Sequence, residues 1–274
     1  MSILQFPDME SLQQPVIDFH RHLSPICGEE AIKYKIKEMC IMPSWMTETQ
    51  FQEKVQPIND FTEVDQYITQ LKTFTQHTQN WHGKIYPFIP LNFTESVEVF
   101  ANRIQQLHPT GIKLHPLQNF PIDKKMMTPY MELVQNHNLI VYIHGNWVPR
   151  TEFNKNVPTI FKTFGKIAGF FPGITFIMGH AGLSDSFLFA ANVLKEHPNC
   201  FVETSLSPST WQLERVVHEV SPTKLLFGSN SPFANPAVEI FKILSLHKVS
   251  DEEKTQILYS NAKELLKTHQ HMEV

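Results

Sequence analysis

The chain has 274 residues, of which 42% are hydrophobic and only 18% are charged. This length suits one α/β barrel of about 250 residues better than two full domains, and the composition favours a large buried core. The formal net charge of −4 argues against the basic surface that nucleic-acid binding requires.

The expected compartment follows from the cysteines and from the apolar runs. An odd, scattered set of thiols does not predict a disulfide framework, and no run reaches the ~18 apolar residues of a membrane-spanning helix. Residues 1–14 also lack the basic start and apolar centre of a secretory signal. We therefore expect a cytoplasmic protein without a membrane or nucleic-acid partner, whose buried, inert thiols include Cys27. The three cysteines are Cys27, Cys40 and Cys200.

Short apolar runs predict eight strands. Several of them are nearly continuous in β-branched and aromatic residues, which is typical of strands covered on both faces. Pro87 weakens the third, because proline cannot donate to a central ladder. In chain order the predicted strands are Pro15–His20, Met39–Met42, Lys84–Ile89, Thr110–Leu114, Leu139–Ile143, Ile174–Met178, Cys200–Thr204 and Lys224–Phe227.

The segments between these runs have helical spacing. The second of them has Thr94 as a candidate N-cap. Strand and helix alternate about eight times, which predicts parallel strands, because parallel neighbours need a crossover connection. We therefore expect a single (β/α)8 TIM barrel over residues 1–274. The predicted helices are Asp60–Thr78, Thr94–Leu107, Asp123–His137, Pro158–Phe170, Ser184–His197, Ser209–Val220 and a terminal set from Pro236 to Leu266.

The end of the first strand carries three polar side chains at alternate positions, Asp18, His20 and His22. Residues two apart in a strand share a face, so both imidazoles can reach one point above the barrel, with Asp18 deeper. A His-x-His pair on a strand gives a metal ion two nitrogen ligands. The alternative is one buried core histidine followed by one loop histidine.

Other predicted strands end in the same way. His144 and His180 each follow an apolar run, while Lys113 and His115 close the fourth strand. In a barrel all strand carboxyl ends meet on one face, and that face carries the active site. Packing alone does not explain this repetition, so the residues together predict a metal site.

These residues also carry a family resemblance. The sequence resembles the amidohydrolase superfamily, specifically the amidohydrolase-2 group of TIM-barrel hydrolases and related decarboxylases. The resemblance implies a (β/α)8 barrel and a divalent metal, usually zinc, with His20, His22 and His144 as ligands and His180 as a proton relay or second-site ligand. The matching pieces, in family order, are Ile17–His22, Gly111–Pro116, Ile143–Gly145, Met178–Gly182, Val202–Ser205, Leu226–Phe233 and Ile257–Leu266.

One position departs from the family pattern. Where the family has Gly-Ser/Thr-Asp after the eighth strand, this chain has Asn230. The family aspartate is a metal ligand and the base for water, whereas an amide has no charge and accepts no proton near neutrality. Three explanations stay open. Another base serves, His180 first and Glu203 second; the protein binds metal and ligand without turnover; or the asparagine is a deliberate substitution.

Further residues are candidates for substrate contact. Lys113 is a candidate anion or proton-network residue, with a lysine–carboxylate pair inside the barrel mouth as the alternative. His115 is ambiguous and is expected to lie behind the metal ligands. Trp147 and Arg150 could supply an aromatic wall and a carboxylate anchor, although surface-loop positions are the more common explanation. Phe233 could likewise line a pocket, although a place in the aromatic core is the more common explanation and is the one expected here.

The chemistry that follows is metal-assisted hydrolysis of a small molecule. A metal-activated water attacks a carbonyl-type carbon of a lactone, ester or amide, while His180 stabilises or protonates the oxyanion and Asn230 orients the water. Ser205 and Ser207 follow the seventh strand without a Gly-x-Ser-x-Gly elbow, which argues against a serine nucleophile. The alternatives are a non-oxidative decarboxylase and a binding barrel without catalysis. The resemblance also allows a homodimer.

Overall fold

The strands form one sheet in which each pairs in parallel with the next along the chain. A computed structural model describes residues 14–24, 26–43, 67, 69–71, 74, 80–115, 121–145, 160–182, 187–207, 209–269 and 272–273. The parallel order runs from β1 to β8, and β9 pairs antiparallel with β3. The strands are β1 (Val16–Arg21), β2 (Ile36–Ile41), β3 (Lys84–Pro90), β4 (Gly111–Leu114), β5 (Ile140–Ile143), β6 (Phe176–Met178), β7 (Cys200–Glu203), β8 (Leu225–Leu226) and β9 (Met272–Glu273).

The first and last parallel strands meet along a seam. The backbone N–H of Phe19 donates to the carbonyl of Phe227 at 2.8 Å, and that of His22 donates to Ser231 at 2.8 Å. An isolated parallel bridge joins Arg21 to Ser231. The eight strands therefore form a nearly closed (β/α)8 barrel, which confirms the predicted fold.

Helices alternate with the strands in the described part of the chain. The predicted helices that are described agree with the structure within a few residues, and residues 67, 69–71 and 74 of predicted Asp60–Thr78 are helical. The short α1 was not predicted, because its seven residues show no apolar stripe and no side-chain cap. The helices are α1 (Cys27–Lys33), α2 (Val97–Leu107), α3 (Lys124–Asn136), α4 (Ile160–Phe170), α5 (Phe187–Glu196), α6 (Thr210–Glu219), α7 (Pro236–Leu244), α8 (Asp251–Thr255), π-helical Gln256–Ser260 and α9 (Asn261–Leu266).

The predicted cap of α2 is wrong. Ser96 is the N-cap, and its hydroxyl accepts from the backbone N–H of Val99 at 3.3 Å. Thr94 instead donates both its backbone N–H and its hydroxyl to the side-chain oxygen of Asn92. This local turn occupies the threonine three residues before the helix begins at Val97.

Pro87 lies inside β3 in spite of its missing N–H, so the predicted third strand is confirmed. Its carbonyl accepts from the N–H of Thr110 at 2.8 Å, just before β4 begins at Gly111. The proline therefore occupies a place where the neighbouring strand has not yet started, and there the lost donor is tolerated.

The core has two layers of apolar side chains, as the alternation along each strand requires. On β5, Ile140 and Tyr142 belong to one cluster, while Val141 and Ile143 belong to the larger cluster that includes side chains of the surrounding helices. Tyr142 thereby lies among polar groups at the strand ends. No helix in the described ranges has the length and apolarity to cross a membrane.

Candidate metal centre

The carboxyl ends of the strands bring the predicted polar residues together. Ring centroids lie 5.0 Å apart for His20–His22, 4.9 Å for His20–His180, 4.7 Å for His144–His180 and 4.3 Å for His115–His144. Each of these imidazoles is at most 8% exposed. Lys113 and Asn230 are buried beside them, whereas Trp147 and Arg150 lie outside the described residues.

The seam between β1 and β8 places His22 opposite Asn230. The backbone N–H of Asn230 donates to the carbonyl of His20 at 2.7 Å. Asn230 has a φ of 54°, a left-handed conformation that asparagine tolerates better than most residues. Its side-chain oxygen consequently lies 3.2 Å from Nε2 of His22.

Beneath this pair, a buried charged network connects the same two strands. Asp18 accepts hydrogen bonds from the backbone N–H of Ser229 at 2.8 Å and from its hydroxyl at 2.6 Å. The fully buried Arg21 forms an ion pair with Glu30 and donates to the Ser231 hydroxyl at 3.3 Å. Burial raises the pKa of Asp18 to about 6. The network fixes the β8 loop, and therefore Asn230, against β1.

Glu203, the last residue of β7, lies at the centre of the cluster and is fully buried. Its Oε2 accepts from the Tyr142 hydroxyl at 2.9 Å, the Ser205 hydroxyl at 2.9 Å and the His180 backbone N–H at 3.2 Å. The same oxygen lies 3.0 Å from Nδ1 of His20. Sequence reasoning named Glu203 only as a second candidate base, and it missed Tyr142 and the role of Ser205.

Burial determines the charge of the ring nitrogens. Desolvation lowers the pKa of His20, His22, His115, His144 and His180 well below the usual histidine value, and the charge of Lys113 contributes at each of them. These imidazoles are neutral near pH 7, which is the form that binds a metal ion.

Burial also changes the pKa of Lys113. Desolvation lowers its pKa from 10.5 to about 7, opposed by the negative charge of Glu203. Its Nζ lies 3.3 Å from Nε2 of His20 and 5.3 Å from the centre of the Tyr142 ring. The lysine is therefore in the cluster itself, within reach of a ligand bound there.

The His22–Asn230 contact tests whether a metal ion fits. Nδ1 of His22 faces the carbonyl of Met42 at 3.1 Å and must carry the proton, so Nε2 presents a lone pair to the amide. Two ligand atoms bound at 2.0–2.1 Å to a tetrahedral ion lie about 3.3 Å apart. The observed 3.2 Å separation matches that edge. Without metal, the reversed amide satisfies the same pair by donating its N–H to Nε2.

A group of ligand atoms that does lie close together in the described residues is not the predicted triad. Ligand atoms of His20, His180 and Glu203 all lie within 4.8 Å of one another. This group differs from the predicted triad of His20, His22 and His144. Its weakness as a binding site is that Oε2 of Glu203 already accepts several hydrogen bonds, which a metal ion would have to replace.

Phe233 is not the core residue that was expected. Its side chain is 40% exposed, and its ring centroid lies 5.1 Å from that of His22 in an edge-on contact. The cis Ser231–Pro232 peptide precedes it. Phe233 is therefore an apolar wall beside His22, where a bound molecule would meet it.

Comparisons with known proteins identify the family and the fold. A family model described as Amidohydrolase, of the amidohydrolase-2 type, matches residues 17–268. No curated protein sequence matches the chain.

Solved structures share the fold at low sequence identity. One is 2,6-dihydroxybenzoate decarboxylase from Rhizobium, with 14% identity, a TM-score of 0.65 and coverage of 93% of this chain and 99% of that one. Another is dihydroorotase from Campylobacter jejuni, with 14% identity, a TM-score of 0.67 and coverage of 95% and 85%. A dihydroxybenzoic acid decarboxylase from Polaromonas, with bound manganese and an inhibitor, has 14% identity, a TM-score of 0.65 and coverage of 93% and 97%.

Proposed function

The chain belongs to the amidohydrolase family, and on this premise we propose that it is a metal-dependent hydrolase of a small molecule with a carbonyl-type reacting carbon. The observation that carries the proposal is the lone pair of His22 Nε2 facing the Asn230 oxygen at 3.2 Å. Two acceptors at that distance fit adjacent ligands of one cation. His20, His22 and His144 would hold the ion, with Asn230 beside it.

A divalent metal bound there supplies an acidified water and polarises the substrate oxygen. Asn230 orients the water but accepts no proton from it. His180, whose Nε2 lies 3.3 Å from Nδ1 of His144, serves as the proton relay. Lys113 and His115, with Trp147 and Arg150, are the proposed substrate contacts.

Zinc is the proposed ion. Three neutral imidazoles suit zinc in a site that leaves a position open for water. Manganese is the alternative, since the Polaromonas decarboxylase of the same fold contains it. Elemental analysis of the purified protein, together with anomalous scattering, identifies the metal directly.

The test of the proposal is metal content. We expect His20→Gln/His22→Gln to lose the bound metal, because it removes two of three nitrogen ligands. His108→Gln/His137→Gln is the matched control, since both residues follow helices at the opposite end of the barrel and are exposed. Equal metal content in the two double variants would refute the proposed site.

A second candidate function is non-oxidative decarboxylation, the reaction named for two of the solved structures that share the fold. Hydrolysis needs a base for the attacking water, whereas a decarboxylase uses the metal to hold the substrate. Asn230→Asp distinguishes the two reactions when a panel of esters, lactones and aromatic acids is screened. A hydrolase that lacks its base should gain about 10²–10⁴-fold in hydrolysis. Release of CO2 from an acid, with no hydrolysis in either form, would instead identify a decarboxylase.

A binding barrel without catalysis is the third reading. In that case the unaltered protein hydrolyses no substrate of the panel, and Asn230→Asp gains hydrolytic activity. Metal would remain bound in both forms.

A further inference from the structure

Glu203 contacts two histidines of the cluster, His20 and His180, and accepts from the hydroxyls of Tyr142 and Ser205. We propose that Glu203 is a positioning residue that determines which ring nitrogen carries the proton in His20, His180 and His144. It thereby places a lone pair on Nε2 of His20 and of His144, while Nε2 of His180 accepts the hydrogen on Nδ1 of His144. The inference rests on the proposed function only in taking a metal ion as the ligand of those lone pairs.

The Glu203 carboxylate is the acceptor at which both sets of hydrogen bonds end. A carboxylate only accepts hydrogen bonds, so each polar hydrogen in contact with Glu203 must be donated to it. The side chain is fully buried. Two branches leave Oε2, one toward His20 and one toward His180.

The first branch fixes His20. The Tyr142 hydroxyl donates to Oε2 at 2.9 Å, so the Tyr142 oxygen can only accept from Nδ1 of His20, which lies 2.7 Å away. Nδ1 also lies 3.0 Å from Oε2. Both neighbours of Nδ1 are therefore acceptors, and the proton is on Nδ1. Nε2 of His20 keeps its lone pair.

The second branch passes through Ser205. Its hydroxyl donates to Oε2 at 2.9 Å, so its oxygen accepts Nδ1–H of His180 at 2.9 Å. Nε2 of His180 is then a bare acceptor and receives Nδ1–H of His144 at 3.3 Å. Nδ1 of His180 is 4.0 Å from the carboxylate itself, so the serine hydroxyl is needed as the relay. Nε2 of His144 keeps its lone pair.

The two branches together select the ligands. His22 has a lone pair on Nε2 because Nδ1–H donates to the Met42 carbonyl. His20, His22 and His144 thus each carry a lone pair on Nε2, and the lone pair of His20 faces Nζ of Lys113 at 3.3 Å. Nε2 of His180 instead accepts Nδ1–H of His144. In metal sites generally, each histidine ligand donates its other ring N–H to a carboxylate, carbonyl or water, and this hydrogen bond fixes its tautomer. Here a single buried carboxylate sets three such tautomers.

The first test uses the unaltered protein, stripped of metal with a chelator. Long-range ¹H–¹⁵N correlation spectra of protein labelled with ¹⁵N-histidine distinguish the two tautomers of each ring. We expect Nδ1–H at His20, His144 and His180, with assignments from single His→Gln variants. An Nε2–H tautomer at His20 or at His180 would overturn the inference.

The second test separates the branches. Ser205→Ala should release His180 and His144 into a mixture of tautomers and leave His20 unchanged, and Ser205→Thr should restore the single form. Ser207→Ala is the matched control, because that buried hydroxyl contacts only the carbonyl of Ser209 among the described partners. A Ser205→Ala protein that keeps Nδ1–H at His180 and His144 refutes the relay.

The third test measures metal affinity by calorimetry with Zn²⁺ and Mn²⁺. Loss of such a supporting carboxylate typically weakens binding 10–100-fold, and we expect this of Glu203→Gln. Affinity equal to that of the unaltered protein overturns the positioning role. If the unaltered protein binds neither ion, the proposed function fails, while the tautomers of the metal-free protein still decide this inference.

Discussion

Gly228 allows β8 to approach the centre of the site, and Gly228→Ala tests how tightly that centre is built. A Cβ at this position would lie 2.2 Å from Oε1 of Glu203, 2.6 Å from its Cδ and 2.8 Å from Cβ of His20. These separations fall about 1 Å short of van der Waals contact. Cβ of His20 is attached to a central strand, so the carboxylate has to move.

Two contributions determine how much Gly228→Ala lowers the free energy of unfolding. Overpacking a tight core costs about 1–3 kcal/mol. A displaced Glu203 also loses hydrogen bonds to a charged group, each of which contributes about 1.5–3 kcal/mol. We therefore expect the free energy of unfolding to fall by about 3–5 kcal/mol, which is a large part of the ~5–15 kcal/mol typical of a domain.

Urea denaturation of the metal-free proteins, followed by tryptophan fluorescence and circular dichroism, measures this change. Gly169→Ala on α4 is the matched control. Its Cβ would meet only the ring of His197, at 3.2 Å, and helical glycine-to-alanine changes gain up to about 1 kcal/mol. The two substitutions should therefore have opposite signs. A Gly228→Ala loss below about 1 kcal/mol would show that Glu203 is not held where we describe it.

Three further predictions concern other parts of the chain. Burial lowers the pKa of Lys113 from 10.5 to about 7, so the unfolded chain takes up this proton first as the pH falls. As the pH rises from 7 to 10.5, the free energy of unfolding of the metal-free protein should therefore increase by up to about 5 kcal/mol relative to that of Lys113→Met. A difference between the two proteins that stays constant over this range would contradict the lowered pKa. Ser96→Ala should lower the free energy of unfolding, measured by urea denaturation, by about 1 kcal/mol, whereas Thr94→Ala should change it little, because only Ser96 caps α2. Burial raises the pKa of Cys27 to about 11 and that of Cys200 to about 12. Neither thiol should react with a disulfide reagent at pH 8 until the protein is unfolded, and rapid labelling of the native protein would contradict their burial.

The strands could be predicted from sequence because each is covered on both faces. The run predicted at Leu139–Ile143 is observed as Ile140–Ile143, and its continuous apolar composition is what a buried parallel strand requires. The residues that follow such runs are equally accessible to this reasoning. His144 and His180 were located by position alone, since every strand of a parallel barrel ends on the same face.

The hydrogen-bond partners could not be predicted in this way. Tyr142 reads as one more apolar residue of its strand, yet its hydroxyl bonds to Glu203, 61 residues further along the chain. That pairing depends on the register between strands, which no local pattern specifies. The clustered histidines also look equivalent in sequence. Only their partners, a carbonyl, a carboxylate or a hydroxyl, distinguish the nitrogen that can bind a metal.

The seam between β1 and β8 also determines when the site can appear during folding. The hydrogen bonds between Asp18 and Ser229 join residues 211 positions apart, and contacts over such distances form late, because a long loop must close first. A nascent or truncated chain without β8 already contains His20 and His22 but leaves unpaired the hydrogen-bonding groups of β1 that face β8. The cluster at the strand ends is therefore completed in the last step of barrel closure, so that a partly folded chain does not yet possess it.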